Sequence, residues 1–149
     1  MNVIILVFRA YKIENLVKDL EELTNDYLAE LSDGRFSLGF VVTNDKLNVE
    51  ITDNGNIVDI LALSSGELAR VNTSTLLAIR KLMSSISSSR INTLFLDEVI
   101  AVLDDNGREK LVEILLGENL KTYIVSHGWT HPLLAKIEVI KEDNISRLE

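Results

Sequence analysis

Cysteine is absent from the chain, and proline occurs once in its 149 residues. Without thiols there is neither a disulfide framework nor a thiolate metal site, and a reducing, intracellular setting is the simplest home. A single proline fits long, regular elements better than a linker-rich chain. Basic charge is scarce. Fifteen Lys and Arg against 23 Asp and Glu leave a formal net charge of -8. Phosphate backbones are bound by basic footprints, so this balance argues against an autonomous DNA-coating protein. A DNA function would need local basic patches or a partner segment that carries them. Long apolar runs are missing too. The stretch Met1–Val7 is mostly apolar but too short to span a membrane. It also lacks the basic start and cleavage site of a signal peptide. What is present is an ordinary globular composition, 46% hydrophobic and 26% charged, of a length that suits one domain.

Apolar residues at Ile13, Leu16, Val17, Leu20, Leu23, Tyr27, Leu28 and Leu31 have helical spacing, with acidic and basic residues on the opposite face. They predict an amphipathic helix from about Arg9 to Leu31, stopped by Ser32-Asp33-Gly34. Short strands are expected over Arg35–Val42, Lys46–Thr52 and Ile57–Leu61, separated by the turn formers Thr43-Asn44-Asp45 and Asp53-Asn54-Gly55-Asn56. The period then turns helical from Gly66 to about Ser85. Ile91–Leu96 and Thr122–Val125 are apolar runs around a helix from about Asn106 to Leu116, with Gly117 as its stop. Strand, helix, strand with such runs implies an α/β fold whose parallel sheet is buried on both faces. Lys136–Lys141 and Ile145–Leu148 are expected to close the chain as a hairpin.

Four short elements carry chemistry. Leu63-Ser64-Ser65-Gly66-Glu67 opens a helix, where free N–H groups and the positive dipole end suit a phosphate. The same Ser-x-x-Glu pattern is also a capping box, in which Ser64 caps and Glu67 reaches back. Asn92-Thr93-Leu94-Phe95-Leu96-Asp97-Glu98 delivers two carboxylates to the end of a strand. Asp97 suits Mg²⁺, directly or through water, and Glu98 suits a general base; a solvated acidic strand end is the plainer alternative. Leu103-Asp104 follows, with Asp104 or Asp105 equally suited to cap the next helix. Tyr123-Ile124-Val125-Ser126-His127 places a histidine past a second strand, where ligands bind in α/β proteins or where it simply makes a turn. Arg70, Arg80, Lys81 and Arg90 lie on or after the helix that begins at Gly66. They suit DNA or a phosphate, against the alternative of solvated helix charges.

In this order and at these spacings the elements resemble the C-terminal portion of an ABC ATPase: signature motif, Walker B strand with its glutamate, D-loop and H-loop. Ser65 stands where the signature usually has its first glycine, and Glu67 takes the last place, a variant similar to the SMC and SbcC-type branch. Tyr27-Leu28-Ala29-Glu30-Leu31-Ser32-Asp33-Gly34-Arg35-Phe36-Ser37 is similar to the exit from the coiled coil in SbcC-type repair ATPases. The run from Leu63 to His127 looks most like the bacteriophage recombination nuclease subunits of that group.

The resemblance implies residues 1–31 as the end of a coiled coil and residues 32–149 as the C-terminal half of an ATPase head. It implies ATP between two heads, with Ser64, Ser65, Gly66 and Glu67 binding the ATP on the opposite head and Ser64 and Gly66 contacting its γ-phosphate. Asp97 would serve Mg²⁺, Glu98 would be the base, His127 the γ-phosphate sensor, and Asp104 would cross the dimer seam. Expected partners are a second copy of the head, a metallophosphoesterase-type nuclease subunit in which Mn²⁺ is the more natural metal, and DNA in the assembled complex, with no membrane. The setting would be cytoplasmic, the host's if the chain is phage-encoded. Two other readings stay open: an SMC-like DNA clamp without a nuclease, and an α/β binding domain that is no ATPase.

One motif is missing. A Walker A loop reads Gly-x-x-x-x-Gly-Lys-Ser/Thr, and no glycine here directly precedes Lys-Ser or Lys-Thr. Gly34 and Gly39 are suitably spaced, but Phe40-Val41 follow and the position is wrong. The expectation is therefore a half-head, active only beside the N-terminal Walker A half.

Overall fold

The computed structural model describes residues 3–43, 46–87, 92–143 and 145–149. Helix α1 runs over Val3–Ser32. It begins earlier than the apolar period indicates because neither glycine nor proline interrupts the sequence from Val3 onward. It stops where Asp33 and Gly34 take φ of 55° and 73°. The Gly34 N–H then donates to the Ala29 carbonyl at 2.9 Å, which satisfies a terminal helix acceptor.

Strands β1 (Phe36–Thr43), β2 (Lys46–Asp53) and β3 (Asn56–Val58) form an antiparallel sheet in that order. Asn44 and Asp45 of the expected first turn lie outside the described residues. The free edge of β1 is met by side chains of α1. Asn25 accepts from the Leu38 N–H and donates to the Leu38 carbonyl, both at 2.7 Å, and Glu21 accepts from the Phe40 N–H at 2.7 Å. Three edge groups are thereby satisfied without another strand. The third strand is shorter than Ile57–Leu61. It gives way to a 3-10 turn, Ile60–Ala62, because the Asp59 side chain accepts from the Leu61 N–H and draws the chain out of the ladder.

Helix α2 spans Ser65–Ile86. Ile91 and Arg90 lie outside the described residues. Strand β4 (Thr93–Asp97) leads into a short helix α3 (Val99–Val102), which the hydrophobic pattern does not reveal. Helix α4 follows at Asp105–Gly117, and β5 at Lys121–Val125. Gly117 ends α4 as its last helical residue, while the cap is Glu118 in extended conformation rather than a left-handed glycine. Strands β6 (Val139–Glu142) and β7 (Ile145–Leu148) make the closing hairpin.

β4 and β5 pair in parallel, Asp97 opposite Val125. Only one face of this pair is covered, against the expectation of burial on both. Leu94 and Leu96 point into the main core with Leu31, Leu77, Ile100 and Leu111. On the other face Phe95 is 69% exposed and stacks on Tyr123, ring centroids 5.0 Å apart. Strand residues alternate between faces, and among the described residues the packed elements lie on one side. A second cluster of Leu28, Phe36, Leu38, Ile51 and Val71 joins α1 and α2 to the antiparallel sheet. Among the described residues no helix is long and apolar enough to cross a membrane.

Candidate functional site

The start of α2 is built by both halves of the capping box. The Ser64 hydroxyl oxygen accepts from the Glu67 N–H at 3.3 Å, and Glu67 Oε2 accepts from the Ser64 N–H at 2.9 Å. Hydrogen bonding by Ser64, backbone first, holds the Glu67 carboxyl below the usual carboxylate range, with Arg35 adding to the effect. The capping box is thus formed at the same helix end that the sequence offers as a phosphate site. Ser64 and Ser65 are exposed, and helix geometry gives the Ser65 and Gly66 N–H groups no carbonyl within α2. Gly66 has a packing reason to be glycine. A β-carbon there would sit 2.8 Å from the Val102 carbonyl oxygen at the end of α3.

Around this helix end lies an open cleft of about 450 Å³, lined by the exit turn of α1, the signature residues and Asp104. Asp104 caps α4, accepting from the Gly107 N–H at 2.7 Å. That bond, with Arg70 after it, holds the Asp104 carboxyl low. Arg70 ties three segments together: its Nε donates to the Leu31 carbonyl at 2.9 Å, and its Nη2 to Asp104 Oδ1 at 2.6 Å. The Gly66 carbonyl is a third, longer acceptor at 3.4 Å. Arg80 and Lys81 are likewise engaged within the chain, both on Glu118, at 2.9 and 3.3 Å. Arg70 and Arg80 are committed to partners within the chain rather than being plain solvated helix charges, while Lys81 keeps 51% side-chain exposure. Arg70 and Arg80 are largely buried, at 12% and 18% side-chain exposure. Arg35 is the residue that sequence reasoning misses as a site builder, and Arg70, a candidate phosphate or DNA contact in the sequence, builds the site from within the chain. The partners that tie them to other elements lie 18 to 39 positions away, beyond any local pattern. The only local hint for Arg70 is that it sits beside buried Val71.

Asp97, Glu98 and His127 form a second group. Register places Asp97 and Val125 side by side, so Glu98 and Ser126-His127 leave the sheet at the same edge. All three named side chains are exposed. Glu98 is left-handed, φ 57° and ψ -1°, and starts α3 with no side-chain cap. A non-glycine residue in this region costs roughly 1 kcal/mol or more, and such strain gathers at functional turns. The Ser126 hydroxyl donates to the Trp129 carbonyl at 2.9 Å, and Gly128 takes φ 77°. His127 therefore stands on a hydrogen-bonded turn.

No family model matches the chain. It is 49% identical over 141 residues to the probable exonuclease subunit 2 of Escherichia phage T5, covering 93% of this chain and 23% of that protein. It is 29% identical over 103 residues to the DNA double-strand break repair Rad50 ATPase of Pyrococcus abyssi, 68% of this chain and 11% of that protein. An SMC ATPase, solved in work on ATP-driven dimerization and DNA-stimulated activation, superposes with a TM-score of 0.73 at 18% identity, covering 93% of this chain and 87% of that one.

The chain is related in sequence to the phage exonuclease subunit and has the fold of an SMC-type ATPase head. An SMC head bound to the C-winged helix domain of ScpA also matches it, with a TM-score of 0.72 at 18% identity over 91% of this chain and 43% of that one. Within the chain, Ser64, Ser65, Gly66, Glu67 and Asp104 share one cleft, while Asp97, Glu98 and His127 share one sheet edge. The segment spans about a quarter of the phage relative's length, 23%.

Proposed function

We propose that this segment supplies the signature and hydrolysis side of an ATP-driven head dimer that regulates a nuclease on DNA ends. The observation that carries the reading is the geometry of two groups on one small fold. A capped helix end offers Ser64 and Gly66, and a parallel sheet edge offers Asp97, Glu98 and His127. Separate groups suit a nucleotide clamped between two heads. One group would face the ATP of the opposite head, and the other would act on the ATP of its own head. The likeness to an exonuclease subunit and to Rad50 supports the nuclease setting.

Asp97 fits Mg²⁺ as a single exposed carboxylate at a strand end, since this ion takes few protein oxygens and completes its shell with water and phosphate. Among the described residues no cluster of three His, Cys, Asp or Glu forms an all-protein cage. Bound there, Mg²⁺ would neutralise charge on the phosphates. Glu98, at the left-handed turn that follows the strand end, would orient and deprotonate the attacking water. His127 would hydrogen-bond the γ-phosphate, and Asp104 would sit at the seam between heads. The β- and γ-phosphates need a phosphate loop, which the Walker A half would bring.

Steady-state ATP hydrolysis, measured for the segment alone and mixed with its Walker A half, tests this. Turnover is expected only in the mixture. Robust turnover by the segment alone would overturn the divided-site reading. Co-purification of the assembled head with a metallophosphoesterase-type subunit supports the nuclease setting, and a head that only closes rings on DNA contradicts it.

A further inference from the structure

The signature helix presents a carboxylate at the place where a γ-phosphate is to arrive. Glu67 is the third residue of α2, and its Oε2 is committed to the Ser64 N–H. The remaining oxygen, Oε1, faces Arg35, whose Nη1 lies 2.8 Å away. Arg35 is itself fixed on three sides. Its Nε and Nη2 grip Asp53 at 2.8 and 2.6 Å, and its guanidinium lies over the Phe36 ring at 4.5 Å. Asp53 ends β2, and Arg35 follows directly on the left-handed exit turn of α1. A forked, planar cation can hold two carboxylates at once in fixed directions, which an ammonium cannot do.

We infer that Arg35 is a positioning residue for the signature motif: it pins Glu67 into the Ser64 cap and, sharing its single positive charge between Asp53 and Glu67, offsets part of the negative charge where the γ-phosphate of the opposite head would dock. This rests on the signature reading above. Without Arg35, the Glu67 carboxylate would stand uncompensated beside the incoming phosphate. Two like charges several ångströms apart at a partly exposed seam change an equilibrium by roughly tenfold. The link also ties the cap to the turn that ends α1, so movement of that helix end would reach Ser64 through one side chain.

The experiment measures the ATP concentration that half-closes the assembled head, by light scattering or cross-linking, in five variants whose melting is checked first. Arg35→Gln is expected to raise that concentration roughly tenfold. Arg35→Lys keeps the charge and is expected to recover part of the loss. Arg35→Gln combined with Glu67→Gln removes the uncompensated charge and is expected to recover most of it. A merely structural arginine would give a double variant as poor as Arg35→Gln, and that result would overturn the inference. No effect of Arg35→Gln beside a complete block by Ser64→Arg would also overturn it, while leaving the signature site standing. Normal closure by Ser64→Arg would sink the signature reading itself. Glu67→Gln alone, with Arg35 left in place, is expected to close at no higher ATP concentration than the parent; a large rise would show that Glu67 acts other than through its charge.

Discussion

Glu98 shows how much one residue's backbone can add to its side chain. A strand end with two carboxylates is plain in Leu96-Asp97-Glu98, but the left-handed turn at Glu98 and the short helix after it are not. A non-glycine φ of 57° leaves no trace in hydrophobic pattern. If Glu98 is the base, Glu98→Gln in the assembled head keeps ATP binding and accumulates closed dimers, while turnover falls by roughly 10² to 10⁴. Single-turnover hydrolysis checks this, and a rate near the parental one would assign the base elsewhere. Gly66 and Gly117 make a second test at this scale. A β-carbon at Gly66 meets the Val102 carbonyl at 2.8 Å, whereas one at Gly117 meets nothing within 4 Å. Gly66→Ala is expected to cost about 1–3 kcal/mol through crowding. Gly117→Ala, in helical conformation, is expected to stabilise by a few tenths up to about 1 kcal/mol. Denaturant unfolding of the two variants should move in opposite directions; equal shifts would contradict the packing account of Gly66.

Between elements, α1, α2 and α4 meet at Glu118. The Tyr27 hydroxyl donates to its Oε1 at 2.5 Å and Arg80 to its Oε2 at 2.9 Å, with Lys81 also above the Tyr27 ring. Burial pushes the Tyr27 hydroxyl up to about 12, and the bond to Glu118 adds to the shift. For Glu118, burial works upward, but the bonds from Tyr27, Lys81 and Arg80 outweigh it and the carboxyl lies below its ordinary 4.5. The signs are opposite in consequence. A raised Tyr27 contributes stability that is full below its unfolded value of 10.0 and is lost as pH rises toward 12. A depressed Glu118 contributes stability that is present above 4.5 and is lost as pH falls through its folded value. Tyr27→Phe is expected to cost about 1–2 kcal/mol near neutral pH and to flatten the alkaline loss. Glu118→Gln should cost about 2–4 kcal/mol, since it leaves Arg80 largely buried and under-compensated, and should flatten the acid loss. Urea midpoints across pH check both slopes, and unchanged slopes would remove the clasp from the stability account. None of these contacts is visible in the sequence. Heptad-like spacing identifies Tyr27 as core, but a polar partner 91 residues away has no local signature.

For the molecule as a whole, periodicity carried the reading a long way. The three longer helices, the antiparallel sheet, the parallel pairing, the closing hairpin and the order of motifs all follow from spacing and turn chemistry, because burial on one side of an element leaves a period in the chain. The same logic fails for the β4–β5 pair. Successive residues of both strands are apolar, Leu94-Phe95-Leu96 and Tyr123-Ile124-Val125, so the sequence looks like a strand pair covered twice, yet Phe95, Tyr123 and Val125 are 69%, 46% and 50% exposed. A second bare stripe runs along α2, where Leu76, Ile79, Met83 and Ile86 recur at helical spacing and are 42–58% exposed. If the segment is half of a head, as proposed above, the sequence records burial in the complete head and the segment by itself covers only part of it. On that reading the Walker A half packs over Phe95 and Tyr123, and their exposed rings are central to its affinity. Phe95→Asp with Tyr123→Asp is expected to weaken association with that half roughly thirtyfold or more. Because both side chains are exposed in the segment, its own melting should change little. Calorimetric titration gives the affinity and a thermal melt of the segment gives the control. Unchanged affinity would mean that the bare sheet face is not the joint between the halves, and the half-head account would then have to place that joint along the α2 stripe.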